Sequence, residues 1–248
     1  MQKVALVTGG AAGIGRACCL RLAEDGHAIG VLDLDETRCA ETVSVIEAAG
    51  GTAIALGADI SNRVQLQAAL AKLRARLGPI TILVNNAGIA EFLAFEDITD
   101  ERWDHMFAVN VRGTFIVTQE ALPDMKAARW GRIVNISSSS AQTGTKVQPH
   151  YSASKGAIVS LTRSLAEALG EHGITVNNIP PGSIMHTIMS EANRQNFPIP
   201  IDVMTANMPV RRLGEPEDIA NACAWLCAEA SSYVTGQSIG VNGGRVVS

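Results

Sequence analysis

The sequence predicts an α/β fold: a Rossmann-type doubly wound parallel sheet of about seven strands with helices on both faces. Two observations predict it. Short apolar runs alternate with helical patterns along the whole chain, as expected for repeated strand–helix–strand units. The runs are apolar almost throughout, which is typical of parallel strands buried on both faces. Right-handed crossovers then place helices on both sides of the sheet. The 248 residues show no linker or repeat, so we expect a single domain, 1–248.

Each predicted strand is a short run rich in Val, Ile, Leu or Ala. The predicted strands are Val4–Val7, Ala28–Leu32, Thr52–Leu56, Ile80–Val84, Arg132–Ile136, Ile174–Ile179 and Gln237–Val241. The segments between them carry apolar residues at helical spacing. The predicted helices are Gly15–Asp25, Arg38–Ala49, Val64–Leu77, Ala153–Glu171 and Glu215–Ala228. An irregular stretch, 183–209, follows the sixth strand, and we expect a substrate lid at about 183–212 because ligands bind beyond the carboxyl ends of such strands.

The composition excludes several classes of protein. Hydrophobic residues make up 47% of the chain and the net charge is −4, which excludes a disordered chain. No excess or run of basic residues indicates a nucleic-acid partner. No apolar run reaches the roughly 18 residues of a membrane span. Only three residues precede the first predicted strand, too few for a signal peptide, so we expect a cytoplasmic protein.

The five cysteines predict no disulfide framework and no metal site. Their number is odd and their spacing fits no known pattern, which favours reduced thiols. Cys223 and Cys227 lie one helical turn apart, but no His or acidic residue stands near them in the sequence. We therefore expect both to pack in the core.

A glycine-rich turn predicts a nucleotide site. The first strand runs into Thr8-Gly-Gly-Ala-Ala-Gly-Ile-Gly15, and a helix follows. Gly9 permits a tight turn, Gly13 lets a pyrophosphate approach the backbone, and Gly15 lets the helix pack closely on the strand. The helix N-terminus offers free N–H groups and partial positive charge to the phosphates.

An acidic residue at the end of the second strand predicts a preference for NAD over NADP. Asp33 lies 18 residues after Gly15, close to the spacing of about 20 expected for a ribose-binding acid. Its carboxylate accepts hydrogen bonds from ribose hydroxyls and repels a 2′-phosphate. Neither Ala12 in the turn nor Leu34 is basic. The alternative is that Asp33 caps the next helix, although Asp35 is better placed for that.

Two further strand ends carry candidate cofactor residues. Asp59, between Ala58 and Ile60, either accepts the adenine amino group or caps the following helix. The fourth strand ends in Asn85-Asn86-Ala87-Gly88, where small residues leave room for the adenine ribose and the Asn amides can tie strand ends together.

The strongest chemical signal is Tyr151 followed by Lys155. Residues i and i+4 share a helix face, so the phenol and the ammonium point the same way. A Tyr has an ordinary pKa near 10, and a neighbouring cation favours its phenolate, which predicts acid–base chemistry near neutral pH. The fifth strand ends in four serines, 137–140, any of which could hold a substrate oxygen. Asn110 is a polar residue in an apolar helical stretch and needs a buried partner or a water.

These motifs together resemble the short-chain dehydrogenase/reductase family, in its single-domain subgroup of about this length. The resemblance rests on the glycine turn, Asp59, Asn85–Gly88, Asn110, Ser138, Tyr151-x-x-x-Lys155, Pro181-Gly182 and the segment Tyr233–Gly244. It implies that Ser138 is the functional serine and that Asn110, Ser138, Tyr151 and Lys155 form a catalytic tetrad. In this reading Tyr151 is the general acid or base, Ser138 orients the substrate oxygen, Lys155 lowers the Tyr pKa and binds the nicotinamide ribose, and Asn110 holds a water.

The predicted cofactor is NAD. The residues expected to contact it are Gly9, Ala12, Gly13, Ile14, Gly15, Asp33, Leu34, Ala58, Asp59, Ile60, Asn86, Ala87, Gly88, Tyr151, Lys155, Pro181, Gly182, Ile184 and Thr187.

The sequence departs from the family pattern at the lid. The family places Thr at the fifth position after the Pro, where this chain has His186, with Thr187 one residue later. Whether His186 or Thr187 takes that role stays open, although His186 reads better as a solvent-facing residue. His150, beside Tyr151, reads as a helix-start residue. Apolar lid residues suggest an apolar part of the substrate, or packing against the core or a subunit: Ile184, Met185, Ile188, Met189, Ile199, Ile201 and Met204.

The predicted function is an NAD(H)-dependent oxidoreductase that interconverts a small-molecule secondary alcohol and a ketone by hydride transfer. One alternative is a 3-oxoacyl-[acyl-carrier-protein] reductase-like enzyme. The family's basic pair for the carrier near the entrance corresponds here to Arg129 and His172, and NADPH, its usual cofactor, is disfavoured by Asp33. An alternative from another class is a catalytically silent dinucleotide-binding regulator. The family is usually tetrameric, so the resemblance implies a homotetramer that pairs through two long helices, with apolar faces at Val111–Leu122 and Ile158–Leu169, and the tail Ile239–Val247.

Overall fold

Six parallel strands form one sheet in a computed structural model that describes residues 2–187, 189–191, 200–206 and 208–247. The strands are β1 (Val4–Thr8), β2 (Ala28–Asp33), β3 (Thr52–Gly57), β4 (Ile80–Asn85), β5 (Gly131–Ile136) and β6 (Ile174–Ile179). They lie in the order β3-β2-β1-β4-β5-β6. The order reverses at β1, which pairs with β2 on one side and β4 on the other. A crevice for a ligand opens at such a reversal, beyond the carboxyl ends of the strands.

The helices that the structure describes follow the strands in alternation. They are α1 (Gly13–Glu24), α2 (Glu36–Ala48), α3 (Arg63–Leu77), α4 (Asp100–Phe107), α5 (Thr114–Ala128), α6 (Ser140–Thr143), α7 (Pro149–Leu169), α8 (Ile201–Ala206) and α9 (Pro216–Cys227). Single 3₁₀ turns lie at Phe95–Asp97, Gly170–His172 and Glu229–Ser231. Several helix starts are capped as the sequence suggests: Asp35 accepts from the Thr37 N–H, and Asn62 accepts from the N–H groups of Val64 and Gln65.

Apolar side chains cover both faces of the sheet. On one face, Leu6 and Leu83 pack with residues of α3, α5 and α7, such as Leu70. On the other face, Val7 packs with residues of α1, α2 and α9, such as Leu22. Successive strand residues point to opposite faces, so strands that are apolar throughout supply both layers. The predicted α/β doubly wound fold is confirmed.

The seventh predicted strand, Gln237–Val241, is not a full strand of the sheet. Its backbone lies beside β6, where the Asn178 N–H donates to Gln237 O and the Ile239 N–H donates to Asn178 O, both at 2.8 Å. The pairing continues only as isolated parallel bridges. One reason is that β6 ends at Ile179 and is followed by Pro180 and Pro181, which have no N–H to donate to a ladder. The described sheet therefore has six strands instead of about seven.

A wide π-helical turn, Ala108–Gly113, joins α4 to α5. α4, the π-helical turn and α5 follow one another directly along the chain. The turn contains Asn110, which is 1% exposed. Turns of this type add one residue to a helix and are frequent at functional sites. Here the turn brings a polar side chain to the segment that follows β4.

All five cysteines are free thiols buried in the core. Hydrogen bonds to Cys18 and Cys227, together with burial, raise the pKa of Cys223, so these thiols are packing groups in the contact between α1 and α9. Among the described residues, no group of three or more His, Cys, Asp or Glu side chains is arranged to hold a metal ion. None of the helices described is both long and apolar enough to cross a membrane.

Candidate active site

The glycine-rich turn lies at the carboxyl end of β1, where the strand order reverses. Gly9 and Gly13 adopt positive φ angles of 66° and 53°, a conformation that side chains disfavour. A Cβ on Gly15 would lie 2.0 Å from the Gly9 carbonyl oxygen, so only glycine allows α1 to approach the turn this closely. Ala12 has extended backbone immediately before α1, and Ile14 packs against the core. The turn therefore has the form that the sequence predicts.

Thr8 and Asn86 hold this turn against the end of β4. The Thr8 hydroxyl accepts from the N–H groups of Asn86 and Ala87, each at 3.0 Å, and donates to Val84 O. The Asn86 amide donates to Thr8 O at 3.0 Å. The part that Thr8 plays, with its hydroxyl 1% exposed, was not predicted from the sequence; the available signal was a hydroxyl residue directly after the apolar run Val4–Val7.

The Asp33 carboxylate lies at the end of β2 and faces the glycine turn. It accepts a hydrogen bond from the Ala11 N–H at 3.3 Å and another from the Leu34 N–H at 2.8 Å. Arg38 Nη1 lies 3.9 Å from it, while Leu34 is 71% exposed. The N-cap of α2, the alternative role considered for Asp33, is Asp35. Asp33 is thus left beside the turn, where the sequence analysis expects an acid for the ribose.

Asp59 takes part in a turn at the end of β3. Its Oδ1 accepts from both the N–H and the hydroxyl of Ser61, at 2.8 and 2.7 Å. Asn62, and not Asp59, caps α3, so Asp59 does not take the capping role, and an adenine contact stays a prediction. Ala58 and Ile60 on either side are buried.

Tyr151 and Lys155 lie one turn apart near the start of α7, and both are buried. Ser138, beyond the end of β5, lies close enough to the Tyr151 hydroxyl to lower the pKa of the phenol. Ser138 Oγ in turn accepts from the N–H and the hydroxyl of Ser140, at 3.1 and 2.9 Å. Lys155 Nζ donates to Ile136 O at 2.9 Å and lies 5.8 Å from the centre of the Tyr151 ring. The structure thus brings together three of the four predicted catalytic side chains and selects Ser138 from the serine run.

The pKa values of the pair differ from the sequence argument. Burial raises the pKa of Tyr151 to about 12, although the hydrogen bond from Ser138 opposes this. Burial lowers the pKa of Lys155 to about 8. The sequence argument expects Lys155 and a positively charged nicotinamide to bring the phenol pKa down, whereas the cost of charging a buried group is the largest influence on the pKa of both side chains.

Asn110 anchors the segment that follows β4. Its amide exchanges two hydrogen bonds with the backbone of Ile89, at 2.8 and 2.9 Å. The same amide donates to Ser154 Oγ at 3.0 Å, and Ser154 donates to Tyr151 O. Asn110 is therefore joined to the helix of Tyr151 through Ser154, a residue the sequence analysis did not single out. The predicted water at Asn110 stays a prediction.

The lid begins along the C-terminal segment. Pro181 bridges Val241, the Gly182 N–H donates to Val241 O at 3.2 Å, and Ile184 bridges Gly214. The side chain of Thr187 lies against the glycine turn, 3.3 Å from where a Cβ of Gly13 would sit. The predicted lid residues Ile188 and Ile199 lie outside the described residues.

Three histidines and one arginine have clear positions. His186 is 65% exposed and its Nε2 lies 3.7 Å from Glu215 Oε2, as expected for a residue that faces solvent. Thr187, not His186, is the one that contacts the glycine turn. Arg129 and His172 lie just before β5 and β6, at the amino ends of these strands, whereas Tyr151 lies on the side of their carboxyl ends. His150 is buried beside Tyr151.

The arrangement fits a nicotinamide dinucleotide. A Cβ on Gly88 would lie 3.3 Å from Lys155 Nζ and 3.0 Å from Asn110 Oδ1, so the backbone passes the catalytic side chains closely. The glycine turn and the α1 N-terminus suit a pyrophosphate, and the Asp33 carboxylate suits a ribose. These groups lie along one crevice at the carboxyl ends of the strands.

Comparison with known proteins supports this reading. Residues 9–245 match the family model described as Enoyl-(Acyl carrier protein) reductase. The chain is 37% identical over 244 residues to the acetoacetyl-CoA reductase of Cupriavidus necator, and the match covers 98% of each chain. It is 36% identical over 245 residues to the 3-oxoacyl-[acyl-carrier-protein] reductase FabG of Staphylococcus aureus, again over 98% of each.

A solved structure shares the fold. It is a variant of the actinorhodin polyketide ketoreductase with NADPH, which superposes with a TM-score of 0.94 at 33% identity. The match covers 98% of this chain and 97% of that one.

Proposed function

Because the chain belongs to the short-chain dehydrogenase/reductase family, we propose that it is an NAD(H)-dependent oxidoreductase that interconverts a secondary alcohol and a ketone. The observation that carries this proposal is that Ser138, Tyr151 and Lys155 lie together at the carboxyl end of the sheet: Ser138 acts on the Tyr151 hydroxyl, and Lys155 Nζ lies 5.8 Å from the centre of the Tyr151 ring. A silent dinucleotide-binding protein would have no need to bury these groups together.

Tyr151 moves the proton in this mechanism. For ketone reduction, the neutral phenol donates a proton to the substrate oxygen, and for alcohol oxidation the phenolate accepts it. Ser138 holds the same oxygen by a hydrogen bond. The bound nicotinamide supplies or receives the hydride.

Lys155 stabilises the phenolate form of Tyr151 by its charge. That effect must overcome the burial that raises the pKa of Tyr151 to about 12. When the substrate oxygen and Ser138 also hydrogen-bond the phenolate, they lower this cost further. Asn110 keeps the segment after β4 and the helix of Tyr151 in register through Ile89 and Ser154.

The choice of NAD over NADP rests on Asp33. Its carboxylate lies beside the glycine turn and accepts from the Ala11 N–H. Ribose hydroxyls would donate to it, whereas a 2′-phosphate would meet a like charge. Arg38, 3.9 Å away, partly neutralises that charge. The remaining cofactor contacts are those named from the sequence, with Thr187 as the lid residue.

The decisive experiment compares the wild type with Tyr151→Phe. A panel of secondary alcohols with NAD⁺, including hydroxyacyl thioesters, steroids, diols and sugars, is followed by NADH absorbance. We expect Tyr151→Phe to lower kcat by about 10²–10⁴-fold and to leave NADH binding unchanged, as measured by fluorescence titration. Normal turnover by the variant would overturn the assignment of Tyr151.

A second candidate substrate class is the 3-oxoacyl thioesters. It is favoured by the two relatives whose names specify an acetoacetyl-CoA reductase and a 3-oxoacyl-[acyl-carrier-protein] reductase. The basic pair Arg129 and His172 gives this class little support. Within one chain, both residues lie at the amino ends of the strands, whereas Tyr151 lies on the side of the carboxyl ends. Turnover of acetoacetyl-CoA with NADH or NADPH tests this class directly.

We also propose a homotetramer. Phe115 lies on α5, within one of the two segments expected to pair, and is 46% exposed, so its side chain is available to a partner chain. Light scattering at micromolar concentration should give about four times the 26.1 kDa of one chain. A monomer mass would reject the assembly and leave the catalytic proposal standing.

A further inference from the structure

The side chain of His150 has no role in the proposed chemistry, yet it is completely buried next to Tyr151. It is 0% exposed, and neither ring nitrogen has a hydrogen-bond partner among the described residues. Buried polar groups in proteins are rarely left unpaired, because the loss of hydration is then not repaid. An imidazole at this position therefore needs an explanation beyond packing.

Among the described residues, the ion-pair partner of His150 is the carboxylate of Glu91. His150 Nε2 lies 3.8 Å from Glu91 Oε2, too far for a hydrogen bond but close enough for strong attraction if the ring is protonated. Glu91 belongs to the segment 89–94 that follows Gly88. Its other oxygen pairs with Arg102 on α4. The three side chains thus link the cleft wall, α4 and the start of α7.

Backbone contacts join the same elements. The Leu93 N–H donates to Val147 O at 2.7 Å, just before α7 begins. At the other end of the segment, Ile89 exchanges two hydrogen bonds with Asn110. Between these two anchors, His150 and Glu91 form the contact whose strength depends on a titratable group.

We propose that His150 is a positioning residue: through Glu91 it holds the segment 89–94 against the helix of Tyr151, and it does so most strongly when protonated. The inference rests on the proposed function, since the segment is taken to be a wall of the substrate site. It predicts that substrate affinity, and not the chemical step, depends on the His150–Glu91 pair, and only at acid pH.

The charges around the ring decide when this happens. Burial lowers the pKa of His150, Glu91 opposes that effect, and Arg102 adds to it. On its own helix, the next residue in the sequence is Tyr151. The pKa of His150 is therefore lower than that of an ordinary histidine, and the ion pair with Glu91 strengthens as the pH falls and the ring gains its proton.

The test uses Glu91→Gln and His150→Phe in the full-length enzyme. Glu91 is part-exposed, so Glu91→Gln preserves the fold even if the bulkier Phe is not tolerated. At pH 5.5 we expect both variants to raise KM about two- to fivefold, the range of an ion pair at the surface, with kcat unchanged. At pH 8 the KM of both should equal that of the wild type. His172→Phe is the matched control, because His172 Nε2 also lies 3.8 Å from a carboxylate, Glu171, but far from the cleft.

A second readout does not depend on activity. NMR titration of the His Cε1 protons, with His150 assigned by its loss in His150→Phe, should show a lower pKa for His150 in Glu91→Gln than in the wild type. If Glu91→Gln leaves that pKa unchanged, or raises KM equally at pH 5.5 and pH 8, the inference is wrong. A wild type with no alcohol or ketone turnover would instead count against the proposed function.

Discussion

Replacing Lys155 by Met should stabilise the folded protein near neutral pH while it abolishes activity. Burial lowers the pKa of Lys155 from 10.5 to about 8, a difference of 2.5 units. At about 1.36 kcal/mol per unit, the buried ammonium costs about 3 kcal/mol of folding free energy. Met fills a similar apolar volume without the charge. Its loss of the hydrogen bond to Ile136 O costs about 1–3 kcal/mol, so we expect a net gain of about 1 kcal/mol at pH 7.

The pH dependence gives the sharper test. The pKa of Lys155 is depressed in the folded state, so between pH 8 and 10.5 the unfolded chain binds more protons than the folded protein. Wild-type stability therefore rises with pH in this window. pH 9.5 lies 1.5 pH units above the Lys155 pKa of about 8, so the folded wild type is about 2 kcal/mol more stable there than it is while Lys155 is fully charged. The Met variant has no such group, so its advantage should turn into a deficit of about 1 kcal/mol.

Urea denaturation at pH 7 and 9.5 measures this difference, with equal protein concentrations because any self-association of the chain would also stabilise the folded state. The cost of leaving Ile136 O unpaired is the same at both pH values and cancels. If the stability difference between Lys155→Met and the wild type is the same at pH 7 and pH 9.5, the lysine is not held charged in a dry site, and the reasoning fails.

Two further predictions concern the cofactor site. Asp33→Ala should lower kcat/KM with NAD by about 10- to 100-fold, because it removes charged hydrogen bonds of about 1.5–3 kcal/mol. It should also raise kcat/KM with NADP. The control is Asp35→Ala, which removes the cap of α2 and should change stability but not the ratio of kcat/KM with NAD to kcat/KM with NADP. Gly15→Ala should abolish NADH binding and lower the melting temperature, since its Cβ would lie 2.0 Å from Gly9 O. The control is Gly170→Ala, whose Cβ meets nothing within 4 Å and which should change neither NADH binding nor the melting temperature. If the two variants have the same NADH affinity and the same melting temperature, the packing argument is wrong.

The fold was predictable because each strand is buried on both faces. Strands such as β4 are apolar at nearly every position, and their boundaries in the structure differ from prediction by one residue at most. The tail Gln237–Val241 does not form a full strand for a reason that lies elsewhere in the chain: two prolines follow its neighbour β6. A run of apolar residues does not reveal whether its partner can donate hydrogen bonds.

The candidate site was predictable in its residues but not in its energetics. The spacing of Tyr151 and Lys155 indicated a shared face, and the structure places them together. The rise of the Tyr151 pKa by burial could not be predicted from the sequence, because it depends on how completely the surroundings exclude water, which spacing does not encode. Thr8 and Ser154 escaped notice because each acts through a contact with a residue distant in sequence or through a backbone carbonyl.

The wide turn at Ala108–Gly113 also determines how α4 and α5 are phased. Successive residues of an α-helix are rotated by about 100° about its axis. The additional residue therefore determines which way every side chain of α5 points. Deleting one residue there would make the helix regular and swing Ile116 and Met125, which now pack on the sheet, towards water. The segment between β4 and β5 thus tolerates substitutions far better than a change in its length, and an insertion or deletion within it would have to be matched by a new apolar stripe on α5.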